Sequence, residues 1–420
     1  MRFNALFSIF THHGEQLRKP TDMLMSNKKQ RIGLVLSMVP AYSETFFRNK
    51  IAVLEKAGFE VILFTGGGKD EQRTIRNIKV GYDSRKPGLQ TILPKILAGF
   101  RLLLHAGRAF RLYKKNKLDG FTTRNNFISL LNSAHIIGHE LEWLHFGFAT
   151  NAIYVENLAA ILGAKLAVSI RGFDIGIYPL KQPGCYRLLW QRIDKLHYIS
   201  DDLYRLALAD GLSPEKPAIK IEPAVDTSIP ARLAKPSETI VEKPGFLTIG
   251  RLHWKKGYPL MLHALSKLRS EGIDFTYHII GEGEDMEQLV YLIRMHGLDQ
   301  QVKLTGRKSH GETLDLLNRC DIYLQYSIQE GFCNAVLEAQ LLGRLCIVSD
   351  AEGLSENVLH EQTGWVVPRN EASLLKERIL SVLQMQETER QKIRNAASHR
   401  IREKFSLEVQ QKKFIGFYES

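Results

Sequence analysis

At 420 residues the chain exceeds what one hydrophobic core usually organises, so two domains of roughly 200 residues each are expected. Hydrophobic residues at 44% and charged residues at 24% exclude bulk disorder and collagen-like bias, and no apolar run approaches the ~18 residues of a membrane-spanning helix. Lys and Arg exceed Asp and Glu by 57 to 45, a formal charge of +12, which favours nucleic acid, an anionic membrane surface or a phosphorylated substrate without choosing among them.

Residues 1–30 carry a short apolar patch, Phe3 to Phe10, but no strong basic leader or small-residue cleavage site, so they read as a flexible extension rather than a secretory signal. Ile32 to Ser37 reads as a strand, the helix from Thr45 to Ala57 stops before Gly58, and Val61 to Thr65 is the next strand. Gly66-Gly67-Gly68-Lys69 follows it, but it does not fit GxxxxGK[ST] and is read as a turn rather than a nucleotide loop. From Ile92 to Lys115 one long helix is expected. Leu93, Ile96, Leu97, Phe100, Leu103, Leu104 and Phe110 lie on one broad face of it, with Arg101, Arg108, Arg111 and Lys115 along a border. That face suits either a packed core or an anionic membrane surface. Leu166 to Ile170, Leu196 to Ser200 and Lys220 to Glu222 are further strands.

Residues 226–244, with Pro230, Pro236 and Pro244 among polar neighbours, read as a linker. Beyond it apolar runs of strand length alternate with helical patterns: Phe246 to Ile249, Phe275 to Ile280, Val302 to Leu304, Ile322 to Leu324, Leu345 to Val348 and Trp365 to Val367. Such a series implies a parallel sheet covered on both faces. The fold class is therefore α/β, with two Rossmann-like doubly wound domains facing across a cleft. The boundaries are 31–228 and 229–404, and a closing helix over 405–420 follows. Cys185, Cys320, Cys333 and Cys346 form no CxxC pair and sit among apolar residues, as reduced thiols of a cytoplasmic protein would.

Ligands of open parallel sheets bind beyond the carboxyl ends of the strands. Arg251 and Lys256 follow one strand there, and Lys256 precedes a helix with Pro259 in its first turn, so both suit phosphate oxygens or a solvated basic loop. Glu330 lies just beyond another strand and, with Glu338, brackets the stretch between them. Asn334 reads as the N-cap of a helix from Ala335 to Leu342, and Gly343 as its stop. Carboxylates in that place accept hydrogen bonds from sugar hydroxyls, or one of them merely favours a helix first turn.

Gly250-Arg251-Leu252 with Lys256-Gly257, Ile280-Gly281-Glu282-Gly283, the E-x7-E pair Glu330/Glu338, Leu354-Ser355-Glu356 and Thr363-Gly364, in this order, resemble retaining glycosyltransferases of family 4, which have the GT-B architecture. Ser43-Glu44-Thr45-Phe46, His145-Phe146-Gly147, Arg171-Gly172-Phe173-Asp174 and Ala224-Val225-Asp226 resemble a subgroup that makes bacterial surface polysaccharides. The resemblance implies that Arg251 and Lys256 hold a donor diphosphate beside Gly250, that Glu338 binds the ribose, and that Glu330 with Gly331, Phe332, Cys333 and Asn334 holds the donor hexose. It implies no metal and no bound cofactor, only a nucleotide-diphosphate sugar as co-substrate. A glycan or lipid-linked sugar is the implied acceptor. Ser43, Glu44, His145, Arg171 and Asp174 are the acceptor-side candidates, with Arg171 where relatives often carry histidine. An arginine cannot relay a proton at neutral pH, so gripping phosphate or orienting the acceptor is expected of it, or an interdomain ion pair. For His145 a hydrogen-bonded place in the core is the alternative.

An epimerase or hydrolase of the same fold would use the same pocket, and a charge-driven membrane or nucleic-acid binder would use the net charge alone. No zinc module or aromatic RNP-type motif points to specific nucleic-acid recognition.

Overall fold

The computed structural model describes residues 29–40, 45–70, 74–81, 92–233 and 243–419. The expected N-terminal extension falls almost wholly outside them, as do Ser43 and Glu44 and residues 234–242 of the expected linker, of which Ile229–Arg232 forms a 3-10 turn.

Among the described residues, thirteen strands form two all-parallel sheets. The first contains β1 (Arg31–Leu36), β2 (Glu60–Thr65), β3 (Ile78–Val80), β4 (Trp143–Phe146), β5 (Lys165–Ile170), β6 (Lys195–Tyr198) and β7 (Ala218–Lys220), in spatial order β3-β2-β1-β4-β5-β6-β7. The second contains β8 (Gly245–Ile249), β9 (Thr276–Ile280), β10 (Val302–Leu304), β11 (Ile322–Gln325), β12 (Leu345–Ser349) and β13 (Trp365–Val367), in order β10-β9-β8-β11-β12-β13. In both sheets the order reverses after a central strand, so the β1/β4 and β8/β11 pairs mark crevices at their carboxyl ends. The second register, Ile322↔Phe246 and Tyr323↔Leu247, brings the loops carrying Arg251 and Glu330 side by side.

The expected strands recur with ends shifted by a residue or two, but β3 and β4 are additional. Trp143–Phe146 is buried at every position, so it shows no alternation for a period of two to reveal. The helix expected over 92–115 is two helices, α2 (Ile92–Leu104) and α3 (Ala106–Leu118), preceded in the chain by α1 (Thr45–Lys56) and followed by α4 (Thr123–Ser133). His105 at φ −119°, ψ 37° breaks the helical run between them.

The last helix, Leu407–Glu419, packs on the first sheet rather than the second. Phe414, Phe417 and Tyr418 share one face at helical spacing and enter the core with Ile32, Leu34 and Trp143. Lys195 Nζ donates to the Phe417 carbonyl (2.7 Å) and Trp143 Nε1 to that of Tyr418 (3.2 Å).

Beneath this helix runs a chain of buried hydrogen bonds whose direction follows from its end. His197 Nε2 lies 3.0 Å from the Ile221 carbonyl, which can only accept, so that nitrogen carries the proton. His197 Nδ1 then accepts from the Ser169 hydroxyl (2.7 Å), Ser169 accepts from His145 Nε2 (2.8 Å), and His145 Nδ1 accepts from the Tyr418 hydroxyl (2.7 Å). Tyr418→Phe removes the last donor and leaves the buried His145 Nδ1 with no partner nearer than the Lys50 amine at 3.5 Å. The expected loss is about 1–3 kcal/mol, read as a lower urea midpoint with unchanged slope.

Both imidazoles in this chain are held neutral. Burial first, then Lys50, pulls the His145 and His197 pKa values well down, and burial pulls His135 down to about 3. A group protonated in the unfolded chain but not in the fold makes stability fall as pH falls below its unfolded pKa, about 6.5 for histidine. Glu156, pushed up to about 7 by burial, acts in the opposite sense over the same range. Burial also raises the pKa of Asp174, Asp321 and Glu356 and lowers that of His139, His263 and His278, while Glu338 raises that of His310. His135, His145 and His197 are displaced furthest, so urea midpoints should decline between about pH 6.5 and 5, above the ordinary carboxylate range.

Candidate functional site

The second domain builds its half of the site by lacing four strand-end loops together. After β8, Gly250 N donates to Ile280 O (3.0 Å) and Leu252 N to Glu282 O (3.0 Å), which ties this loop to the one after β9. The 3-10 turn Trp254–Lys256 ends at Gly257, whose φ of 65° and close approach to the Tyr326 carbonyl leave no room for a side chain. Ile328 N donates to Lys255 O at 2.7 Å, joining the loop after β11 to the same turn. Glu330 N donates to the Glu352 carboxylate (2.7 Å), and Asn357 both accepts from Cys333 N (2.9 Å) and donates to Cys333 O (3.2 Å).

This lacing brings Lys256 and Glu330 into a direct ion pair. Their side chains are 19% and 15% exposed. Burial pulls the Lys256 pKa down, but attraction to Glu330 outweighs it and the ammonium is held above its ordinary value. Arg251 is exposed at the mouth of the same loop. Gly250 is packed under the Lys256 stem, and the Tyr258 hydroxyl donates to the Gly250 carbonyl at 3.0 Å.

Glu338 stands elsewhere. The helix that carries it runs Asn334–Leu341 with Cys333 at the N-cap position, so Asn334 is its first residue and not the expected cap. Phe332 and Cys333 are buried, and burial pushes the Cys333 thiol up to about 12, so these two offer backbone rather than side chains. Glu338 accepts from His310 Nε2 at 2.9 Å, which raises the His310 pKa. Both line a cavity of about 670 Å³ between the domains, with Asn334, Arg307 and Lys308 on one side and Arg48, Asn49 and Asp226 on the other. Arg251, Lys256 and Glu330 lie outside that lining.

Sequence reasoning missed Arg48, Arg307, Lys308 and His310. A signal existed for part of the set: Ser309 with Glu312 forms a capping box that starts the helix beside the cavity.

On the first-domain side, Arg171 follows β5. Its guanidinium lies 3.6 Å from the Phe46 ring centre and 4.8 Å from that of Phe47, a stacking that suits a planar cation. Phe46 also meets the Phe47 ring edge-on at 5.3 Å, the His197 ring, nearly parallel at 6.2 Å, and Phe414 of the last helix. Arg171 and Gly331 meet backbone to backbone, since a Cβ on Gly331 would lie 2.4 Å from the Arg171 carbonyl oxygen. A further bridge joins the domains where Glu356 pairs with Lys220 at 2.5 Å and accepts from Asp201 N at 2.6 Å.

Two acceptor-side expectations need correcting. His145 is fully buried, with both ring nitrogens engaged in the hydrogen-bond chain under the last helix, and cannot touch an acceptor. Asp174 is also buried. It accepts from the backbone N–H groups of Arg171 (2.9 Å), Gly172 (2.9 Å) and Ala149 (3.3 Å), so it fixes the Arg171 loop from within.

Residues 232–400 match the family described as Glycosyl transferases group 1. Over 399 residues the chain is 27% identical to the colanic acid biosynthesis glycosyltransferase WcaL of Escherichia coli, covering 90% of this chain and 97% of that one. The amylovoran biosynthesis glycosyltransferase AmsK of Erwinia amylovora is 31% identical over 180 residues, 41% of this chain and 40% of AmsK. Among solved structures, Anabaena Alr3699/HepE in complex with UDP superposes with a TM-score of 0.68 at 17% identity, covering 92% of this chain and 98% of that one. A Rickettsia africae glycosyltransferase gives 0.68 at 20% identity, over 93% and 98%. The two facing parallel sheets are the GT-B fold.

Proposed function

We propose that this chain, a glycosyltransferase of the GT-B fold, moves a hexose from a nucleotide-diphosphate sugar to a glycan or lipid-linked acceptor in surface polysaccharide synthesis, with retention at the anomeric carbon and no metal. The observation that carries the reading is the meeting of Lys256, Glu330 and the exposed Arg251 where β8 and β11 leave the sheet. The likeness to WcaL and AmsK supports the polysaccharide context.

In the proposed reaction the bond between the anomeric carbon and the β-phosphate oxygen breaks, and the leaving diphosphate gains negative charge. Arg251 and Lys256 neutralise that charge as it develops, which lowers the barrier rather than only tightening binding. Glu330 accepts hydrogen bonds from hexose hydroxyls while remaining the counter-ion of Lys256. Glu338 takes the ribose hydroxyls, with His310 orienting it. Arg171, held flat on Phe46 next to Gly331, faces the acceptor. The acceptor hydroxyl adds to the anomeric carbon, and its proton leaves with the diphosphate or to solvent. The four unpaired thiols favour a cytoplasmic setting, and a place at the membrane's inner face would put lipid-linked acceptors within reach.

Thermal stabilisation across UDP, GDP and ADP sugars tests the donor, because ligands that bind only the fold raise its apparent stability. Product analysis with and without acceptor then separates transfer from epimerisation or hydrolysis, and NMR of the product reads the anomeric configuration. Donor consumed equally well without acceptor would overturn the transfer reading.

A further inference from the structure

A surface helix of a globular domain sets its apolar stripe against the core. Helix α2 does the reverse. Of its 13 residues only Ala98 is buried, whereas Leu93, Ile96, Phe100, Leu103 and Leu104 are 59% to 76% exposed. Phe110 and Leu118 of α3 add exposures of 65% and 82%. An apolar surface of this size and continuity exceeds the scattered exposed side chains of ordinary proteins.

Charge narrows what can cover it. Between Ile92 and Leu118 the sequence has seven lysines and arginines and no aspartate or glutamate. Arg108 is committed to the Ile137 carbonyl (3.0 Å), but Arg111, Lys114 and Lys117 are exposed. A second copy of the chain would set like charges together. A nucleic acid would answer the charge but leave the apolar face in water. An anionic lipid surface answers both, since acyl chains accept the apolar face and headgroups the cations. The helices would lie in the surface: α2 is about 20 Å long, and among the described residues no helix is long and apolar enough to cross a membrane.

We propose that α2 and α3 dock this chain on an anionic membrane surface, with the Leu93-Phe100-Leu103 face of α2 in the interface and Arg111, Lys114 and Lys117 of α3 at the headgroups. The docking deepens the proposed function and rests on it in one respect, that a lipid-linked acceptor would be presented at that surface.

The test floats the full chain with vesicles of phosphatidylcholine, with and without phosphatidylglycerol. The parent should float with the anionic vesicles, less so at high salt. The triple variant Leu93→Glu, Phe100→Glu, Leu103→Glu should partition at least about tenfold less, while keeping its melting temperature and its transfer to a water-soluble acceptor. The triple variant Arg111→Ala, Lys114→Ala, Lys117→Ala should bind more weakly and lose most of the salt dependence. A parent that stays unbound, or an acidic triple variant that floats as well as the parent, overturns the proposal. So does vesicle-free sedimentation of the parent as a dimer that the acidic variant breaks, or tight RNA binding that anionic vesicles do not displace. Flotation that behaves as expected while no donor supports transfer would remove the reaction and leave the docking standing.

Discussion

A Lys256→Ala enzyme turns over its donor about 10²–10³-fold more slowly than the parent at saturating substrate, the loss found where one preorganised donor to a developing anion is removed. Two effects combine. On the proposed reading the diphosphate loses a compact charge, and Glu330, 15% exposed, loses its counter-ion. Breaking an ion pair of this burial from one side costs stability toward the low end of about 3–5 kcal/mol, because the remaining charge is uncompensated. The double variant Lys256→Met, Glu330→Gln separates the contributions. It should regain most of the melting temperature, since no lone charge is left, and none of the turnover. Steady-state transfer assays beside thermal melts read both. A double variant that recovers transfer would show that the pair serves the fold alone.

Gly331→Ala should cost about 100-fold in kcat/KM, the scale of misplacing a reacting group by roughly an ångström, while the donor domain still folds. The added methyl would lie 2.4 Å from the Arg171 carbonyl oxygen, so the two loops must part. Behind it there is no slack either, as a Cβ on Gly353 would meet the Gly331 carbonyl at 1.9 Å. Backbone on both sides means that no rotamer change can relieve the contact. If the glycine serves only chain flexibility, Gly331→Ser and Gly331→Ala should differ little from the parent in transfer assays with donor and acceptor varied in turn.

The second sheet was readable because its strands are short apolar runs punctuated by glycines at their ends, and because helix and strand alternate without interruption from Gly245 to Val367. Arg251, Lys256 and Glu330 could be placed at strand ends on that basis alone. The Lys256–Glu330 ion pair could not, because it depends on β8 lying next to β11, a pairing between residues 76 apart at Phe246 and Ile322. His145 misled for a related reason. A histidine in a motif that resembles those of glycosyltransferases reads as a site residue until the helix Leu407–Glu419 is seen to cover it. The exposed face of α2 could not be settled from periodicity, since an apolar stripe has the same spacing whether it meets a core or a membrane.

The last helix has a bearing on how the protein is made. Ile32, Leu34 and Trp143 belong to strands near the start of the chain, yet their cover is Phe414, Phe417 and Tyr418, and the buried amine of Lys50 lies 4.7 Å from the Phe414 ring. While the ribosome is still extending the second domain, the first therefore stands open along one face with a cation and two imidazoles in reach of water. Leu407–Glu419, which follows the second domain in the chain, shuts it. Translation order and folding order of the two domains are thus opposed: the one begun earlier is completed after the other, and a chain released before Leu407–Glu419 would be left with that core unsealed.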